Sequence, residues 1–346
     1  MQALILAGGK GTRLRPLTVY TPKPIVPVLN RPLLQYQIEI LARTGITDIT
    51  LSLSYQPSKI EDLLGDGSDL GVKLRYLTEP SPMGTAGAYK FAAGSIRETT
   101  VILNGDILTD VDLAGVIETH RTNKAEATIL LAPVDDPSRF GVVEIGKRGE
   151  ILRFFEKPSA EVLAKLKINT INAGIYILEP TVLDLIPAGE NSSFEYDVFP
   201  SLVKSGRSFF SHVLTNEYWR DIGTPSNYLA AHHDFLSGKI RHIVETDDAV
   251  SDIATTADID KISILGEGCV IKPHARITNS VLGPGVHVDE KAVVENSVIW
   301  AHTRIAAAAE IDGAVVGRSC YLGRNTSVRP GAVLGDKTSL PDYSSI

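Results

Sequence analysis

With 346 residues, 43% of them hydrophobic and 22% charged, the chain has the composition of an ordinary soluble protein and the length of two domains. A net charge of −7 excludes general binding to nucleic acid or anionic membranes, so an anionic ligand has to be gathered by local cations. No run reaches 18 apolar residues, the N-terminus has neither a basic leader nor a cleavage site, and two cysteines make no disulfide framework; a cytoplasmic protein is expected.

In chain order, the apolar run Ala3 to Ala7 reads as a buried strand and leads into Gly8-Gly9-Lys10-Gly11-Thr12-Arg13-Leu14-Arg15-Pro16. Glycines at a strand end let the backbone turn and expose N–H groups, which suits an anion cradle. It suits equally an ordinary turn with solvated cations, since neither the P-loop pattern nor the three-glycine dinucleotide fingerprint is met. Pro32 at a helix start, Leu34, Ile38 and Leu41 at helical spacing, and Gly45 as a stop predict the first helix. Ile49 to Leu53, Lys73 to Leu77, Thr100 to Leu103, Thr128 to Ala132 and Ile175 to Leu178 read as further strands. Alternation with amphipathic stretches predicts an α/β, Rossmann-like domain with a mostly parallel sheet and functional residues past the strand carboxyl ends. A capped helix is expected from Thr224-Pro225, closing a domain of residues 1–236.

After a connector over 237–261, residues 262–346 change to hexads. Aliphatic residues lead at Leu265, Ile271, Ile277, Leu282, Val288, Val294, Ile299, Ile305, Ile311, Val316, Leu322, Val328, Leu334 and Leu340. Residues four places on, among them Cys269, Ala275, Val281, Val298, Val315 and Cys320, are read as small corner residues. The pattern predicts a parallel β-helix, with one edge a residue shorter than the others. Cys269 and Cys320 then stand three coils, about 14 Å, apart, beyond disulfide reach.

The run from Gly9 to Thr18, followed by Pro22-Lys23-Pro24, resembles the signature of sugar-1-phosphate nucleotidylyltransferases. The hexads resemble the left-handed β-helix that many members carry. Further motifs follow in the family's order: Gly84-Thr85-Ala86-Gly87-Ala88, Asn104-Gly105-Asp106, Glu156-Lys157-Pro158, Asn172-Ala173-Gly174 and Trp219-Arg220-Asp221-Ile222-Gly223. Within the family the chain looks most like the mannose-1-phosphate guanylyltransferases, through Pro22-Lys23-Pro24, Met83 to Gly87 and Phe194 to Pro200.

The resemblance implies transfer of a nucleotidyl group from an NTP to a hexose 1-phosphate, with pyrophosphate released. GTP and mannose 1-phosphate are the expected pair; thymidylyl or uridylyl transfer to glucose 1-phosphate is the alternative, and a non-catalytic regulatory subunit the alternative of another class. The sugar phosphate oxygen is already ionised, so no general base is needed and the task is to align two polyanions. By resemblance, Leu6, Ala7, Gly8, Gly9, Gly11, Thr12, Arg13, Gly84, Thr85, Gly87 and Asp106 bind the nucleotide, and Gly141, Glu156, Lys157, Asn172 and Gly174 bind the sugar phosphate. Arg13, Lys23 and Lys157 are the implied catalytic cations, with Mg²⁺ held by Asp106 and Asp221. Outside that resemblance Lys23 reads as a solvated loop lysine, Glu156 and Lys157 as an exposed surface pair, and each aspartate as a turn or cap residue. Three histidines of the hexad region, His274, His287 and His302, are expected to face outward, against acyl transfer. The β-helix is expected to serve homo-oligomer assembly.

Overall fold

The computed structural model describes residues 1–94, 96, 98–166, 168–241 and 251–346. Two compact units emerge: Met1–Gly9 with Leu34–Trp219, and Lys10–Leu33 with Arg220–Ile346. Of the three chain crossings, two fall inside motifs singled out above, one within the glycine loop and one within Trp219-Arg220-Asp221, and the third lies between Leu33 and Leu34.

The first unit is built on a sheet of nine strands among the described residues. Its parallel centre runs Thr100–Asn104, Gln2–Leu6, Asp48–Leu53 and Lys73–Thr78, with Leu4 opposite Ile102 and Thr50. Gln2–Leu6, Asp48–Leu53 and Thr100–Asn104 are buried on both faces, as strands in the middle of a parallel sheet usually are, whereas the edge strand Lys73–Thr78 exposes Lys73 and Thr78. Thr170–Leu178 joins antiparallel to Thr100–Asn104, and Ala127–Pro133, Gly141–Ile145, Ile151–Glu156 and Phe209–Val213 extend the sheet. Phe194, Phe199, Tyr176 and Phe209 form an aromatic cluster in the core, with Phe194 and Phe199 stacked at 5.5 Å.

The expected first helix runs Leu33–Arg43. Pro32 does not open it; it lies in the short strand Arg31–Pro32, antiparallel to Pro27–Val28, where a proline without an N–H is tolerated at an edge. The second expected helix is Pro225–Leu236, capped as predicted by Thr224, whose Oγ1 accepts from Asn227 N at 3.2 Å.

In the second unit the hexads stack as three parallel sheets, in which Ile271, Val288, Ile305 and Leu322 of one sheet align rung over rung. Leading aliphatics fill a continuous core with Cys269 and Cys320, both free and with thiol pKa values raised by burial. Stacking begins earlier than residue 262: Asp252–Ile253 pairs with Val270–Ile271, and Asp258–Ile259 with Arg276–Ile277. Residues 242–250 of the expected connector lie outside the described residues.

The corners correct one assignment. Positive-φ residues recur at Gly268, His274, Asn279, Gly285, Lys291, Asn296, His302, Ala308 and Gly313, each followed by the inward small residue of the corner. On the short edge that residue is Ser280, Ser297 or Ala314, each at most 1% exposed, rather than Val281, Val298 or Val315. The three valines are instead strand residues beside the core positions, yet they too are buried. The Lys10–Leu33 segment and the Pro225–Leu236 helix lie along this side: Asn30 Nδ2 donates to Leu282 O at 2.9 Å, and His233 Nε2 meets Asn296 O at 3.1 Å.

Candidate active site

Each unit presents its own group of predicted residues. In the first, strand pairing brings Leu6 beside Asn104 and Ser52, so the glycine loop and the Asn104-Gly105-Asp106 turn leave the same edge of the sheet. Gly105 N donates to Leu6 O and Ala7 N to Ser52 O, both at 2.9 Å, which uses the last strand polar groups and starts the loop. Gly105 has to be glycine: a Cβ there would lie 2.9 Å from Leu6 O. Ser54 Oγ donates to Gly8 O.

Beneath Gly8 lies Glu79, whose Oε1 accepts from Ser52 Oγ at 2.9 Å and whose Oε2 accepts from Met83 N at 3.2 Å. A carboxylate against Gly8 disfavours phosphate there, so an anion cradle of the kind expected of this loop would begin at Gly9, around which a Cβ would meet nothing within 4 Å.

The Gly84–Ala92 helix gives its glycines a packing reason. Ala86 N and Gly87 N both donate to Ser192 O at 3.0 Å, and a Cβ on Gly84 or Gly87 would fall 2.4 Å from Ser192 O or 2.8 Å from Glu190 O. Thr85 is committed locally as well: its hydroxyl donates to Glu195 Oε2 and accepts from Phe194 N, each at 2.9 Å.

Glu195 joins this helix to the residues expected at the sugar. Tyr176 OH donates to Glu195 Oε1 at 3.2 Å and accepts from Asn172 Nδ2 at 2.8 Å, while Asn172 Oδ1 accepts from Gly174 N at 2.9 Å. The Thr170–Leu178 strand is irregular between Asn172 and Tyr176, and Gly174, at φ +74°, packs so closely on Asn104 that a Cβ would lie 2.8 Å from its Nδ2. Asn104 Oδ1 is buried with no partner among the described residues, an acceptor awaiting a donor.

Glu156 pairs with Gly141 across its ladder, and a Cβ at Gly141 would sit 2.6 Å from Glu156 Oε2. Burial raises the Glu156 pKa; Lys157 opposes that rise and Glu195 adds to it. Lys157 Nζ, exposed, lies 3.4 Å from Glu156 Oε1. Asn104, Tyr176 and Glu195 are absent from the predicted binding set. Glu195 is separated from Thr85 by 110 residues, so only the fold brings them together.

The second unit holds the cationic part. Gly11, at φ +62°, packs on Lys23 and Thr18, with Thr18 Oγ1 donating to Gly11 O at 2.7 Å. Thr12–Leu14 forms a single 3₁₀ turn that leaves Arg13 exposed. Lys23 is not a solvated loop lysine: at 8% exposure it is the one buried lysine among the described residues, inside the short turn Lys23–Ile25. Arg13 and Asp221 converge on Gly223, where a Cβ would fall 2.5 Å from Asp221 Oδ2 and 3.3 Å from Arg13 Nη2. The other carboxylate oxygen, Oδ1, accepts from Asn227 Nδ2 at 2.8 Å.

Among the described residues no group of three or more His, Cys, Asp or Glu side chains forms a protein-only metal cage. The donor at hand here is a hard carboxylate oxygen, Asp221 Oδ2, which lies against Gly223. That donor fits a divalent ion taking its remaining ligands from phosphate and water. The hexad histidines face outward as expected: His274 and His302 are exposed at left-handed corners, and the partly exposed His287 meets Asp289 at 3.1 Å. Among the described residues no helix is long and apolar enough to cross a membrane.

Residues 2–238 match the family model described as Nucleotidyl transferase, and residues 241–346 match the EIF2B subunit epsilon LbH domain, the left-handed β-helix expected from the hexads. The chain is 39% identical over 239 residues to the mannose-1-phosphate guanylyltransferase of Mycobacterium tuberculosis, covering 69% of this chain and 65% of that protein. It is 35% identical over 283 residues to mannose-1-phosphate guanylyltransferase 1 of Arabidopsis thaliana, covering 80% and 76%. A Bacillus anthracis structure described as a glucose-1-phosphate thymidylyltransferase superposes with a TM-score of 0.60 at 27% identity, covering 67% of this chain and 93% of that one. With the matched model spanning most of its length, the chain belongs to the nucleotidyl transferase family.

Proposed function

We propose that the protein transfers a guanylyl group from GTP to mannose 1-phosphate, giving GDP-mannose and pyrophosphate. The observation that carries this reading is the convergence of Arg13 and Asp221 on Gly223, beside a loop whose buried cation is Lys23. A guanidinium and a carboxylate brought together at a glycine suit a polyphosphate and its counter-ion, and a lysine buried in a short turn suits a fixed charge on phosphate. Relatives described as mannose-1-phosphate guanylyltransferases support the choice of pair.

In this reading Gly9, Gly11 and Thr12 cradle the triphosphate, and Arg13 and Lys23 stabilise charge on the departing pyrophosphate. Leu6, Ala7 and Gly8 lie under the nucleoside, where Glu79 offers an acceptor matched to the paired N–H donors of guanine. Gly84, Thr85 and Gly87 hold that side of the site. Glu156, Asn172, Asn104 and the turns at Gly141 and Gly174 receive sugar hydroxyls, and Lys157 grips the sugar phosphate. The phosphate oxygen attacks the α-phosphorus already ionised, so no residue removes a proton.

Members of this family use a divalent metal, and Mg²⁺ is the proposed ion, with Asp106 and Asp221 as its protein ligands. When bound, it neutralises phosphate charge that the cations alone leave uncompensated. A cytoplasmic location and self-association through the β-helix complete the reading. Ile253 and Tyr343, exposed near opposite ends of the prism, are apolar positions for such contact. Sedimentation of the intact chain over a concentration range tests assembly: a monomer throughout refutes it. Pyrophosphate release across the common NTPs and hexose 1-phosphates tests the pair, and a preference for dTTP or UTP would replace guanylyl by thymidylyl or uridylyl transfer.

A further inference from the structure

The β-helix contains one residue that its repeat does not account for. The position after the leading aliphatic on the short edge is glycine at Gly266, Gly283, Gly317 and Gly335, and tryptophan at 300. The glycines are demanded by stacking: a Cβ on Gly266, Gly283 or Gly317 would fall 2.4 to 2.6 Å from the backbone of the next coil. A large ring in this row is therefore placed by something outside the repeat. That something is the Lys10–Leu33 segment and the helix beside it, because Gly335 of the same row lies against Pro16, at 3.1 Å from a Cβ.

We propose that Trp300 is a positioning residue for the transfer reaction, acting through Tyr228 on the segment that carries Lys23; this rests on the function proposed above. Trp300 is 2% exposed, and its Nε1 donates to Tyr228 OH at 2.8 Å. Tyr228 OH passes its own hydrogen to Pro27 O, four residues beyond Lys23. Between them, Val26 N donates to Lys23 O at 3.2 Å and Ile25 N to Pro22 O at 3.0 Å, closing the turn that holds the lysine.

A parallel connection fixes the next residues. Leu29 N donates to His232 Nε2 at 3.3 Å, which requires the proton to be on Nδ1, where it is donated to Tyr228 O at 2.8 Å. The imidazole is fully buried and its pKa is lowered by burial to about 4, in keeping with the neutral form this relay needs. The same helix supports Asp221 at its start, through Asn227. Fixing Tyr228 one residue later thus fixes the setting of both the lysine turn and the carboxylate. The β-helix in this view is part of the catalytic frame, which an assembly role alone does not require.

The test compares Trp300→Phe, which keeps an aromatic ring and removes the N–H, with Tyr228→Phe and the double variant. Steady-state kinetics with GTP and mannose 1-phosphate should give about a tenfold lower kcat for each single variant with KM within about twofold, and no further loss in the double, because both cut one relay. Amide hydrogen exchange of the peptide spanning residues 23–31 should rise in all three while the Gln2–Leu6 strand is unchanged. Unaltered exchange and kcat in Trp300→Phe overturns the proposal, as does an additive double variant. Should the wild-type protein turn over no NTP and sugar pair, the functional reading fails by itself, and exchange at 23–31 still decides whether Trp300 orders the segment.

Discussion

The two units solve stability and chemistry in opposite ways. In the sheet unit, polar side chains join residues far apart in sequence, as in the bond from Thr85 to Glu195 across 110 residues, and they gather past the strand ends. In the β-helix the comparable bonds repeat over short spans: Ser297 N reaches Ser280 Oγ and Ala314 N reaches Ser297 Oγ, each 17 residues away. A scaffold of local, identical contacts can carry one aberrant residue without losing its form.

The largest effect should come from the carboxylates. Asp106→Ala and Asp221→Ala are each expected to lower kcat by more than about 10³-fold, with melting temperature within a few degrees of wild type, measured by pyrophosphate release and thermal denaturation. Near-normal turnover would remove the metal assignment.

A substitution in the repeat should do the reverse. Ile277→Ala, at a fully buried core position, is expected to cost about 2–5 kcal/mol in urea denaturation and to leave kcat of the folded protein within about twofold. A large fall in kcat at unchanged stability would show that the repeat core, and not Trp300 alone, bears on turnover.

Acid should act on the second unit through His232. Its folded pKa, about 4, lies below the ordinary 6.5. The stabilisation is therefore complete above pH 6.5 and is lost as pH falls through the folded pKa, to a limit of roughly 3 kcal/mol. His232→Gln should lack that part of the pH dependence; an identical pH profile in the variant contradicts it.

The smallest effect distinguishes close fit from mere proximity. Gly223→Ala puts a methyl against Asp221 Oδ2 and is expected to reduce kcat about 10- to 100-fold while the fold survives. Full activity would show that the carboxylate needs no clear approach there.

Legibility in the sequence followed the same division. The hexads were readable because every rung repeats one burial pattern, and the Thr224 cap because its determinants lie within four residues. The short edge misled: Val281, Val298 and Val315 look like corner residues by spacing, but they are buried against a neighbouring element that periodicity cannot register. Pro32 has the right type for a helix start and is used by a two-residue ladder instead. Arg13, Asp106 and Asp221 were singled out by motifs alone. Lys23's burial, the Glu195–Tyr176–Asn172 connection and the membership of residues 10–33 in the β-helix unit depend on contacts between distant stretches. Trp300 lay in plain view as the exception in a glycine row, though nothing local says what it touches.

The most direct measurement of the central claim is pyrophosphate release with product identification across GTP, UTP, dTTP and ATP against mannose and glucose 1-phosphates, with and without Mg²⁺. The account predicts Mg²⁺-dependent formation of GDP-mannose and pyrophosphate in equal amounts. Absence of pyrophosphate with every pair, or equal release without a divalent ion, would contradict it.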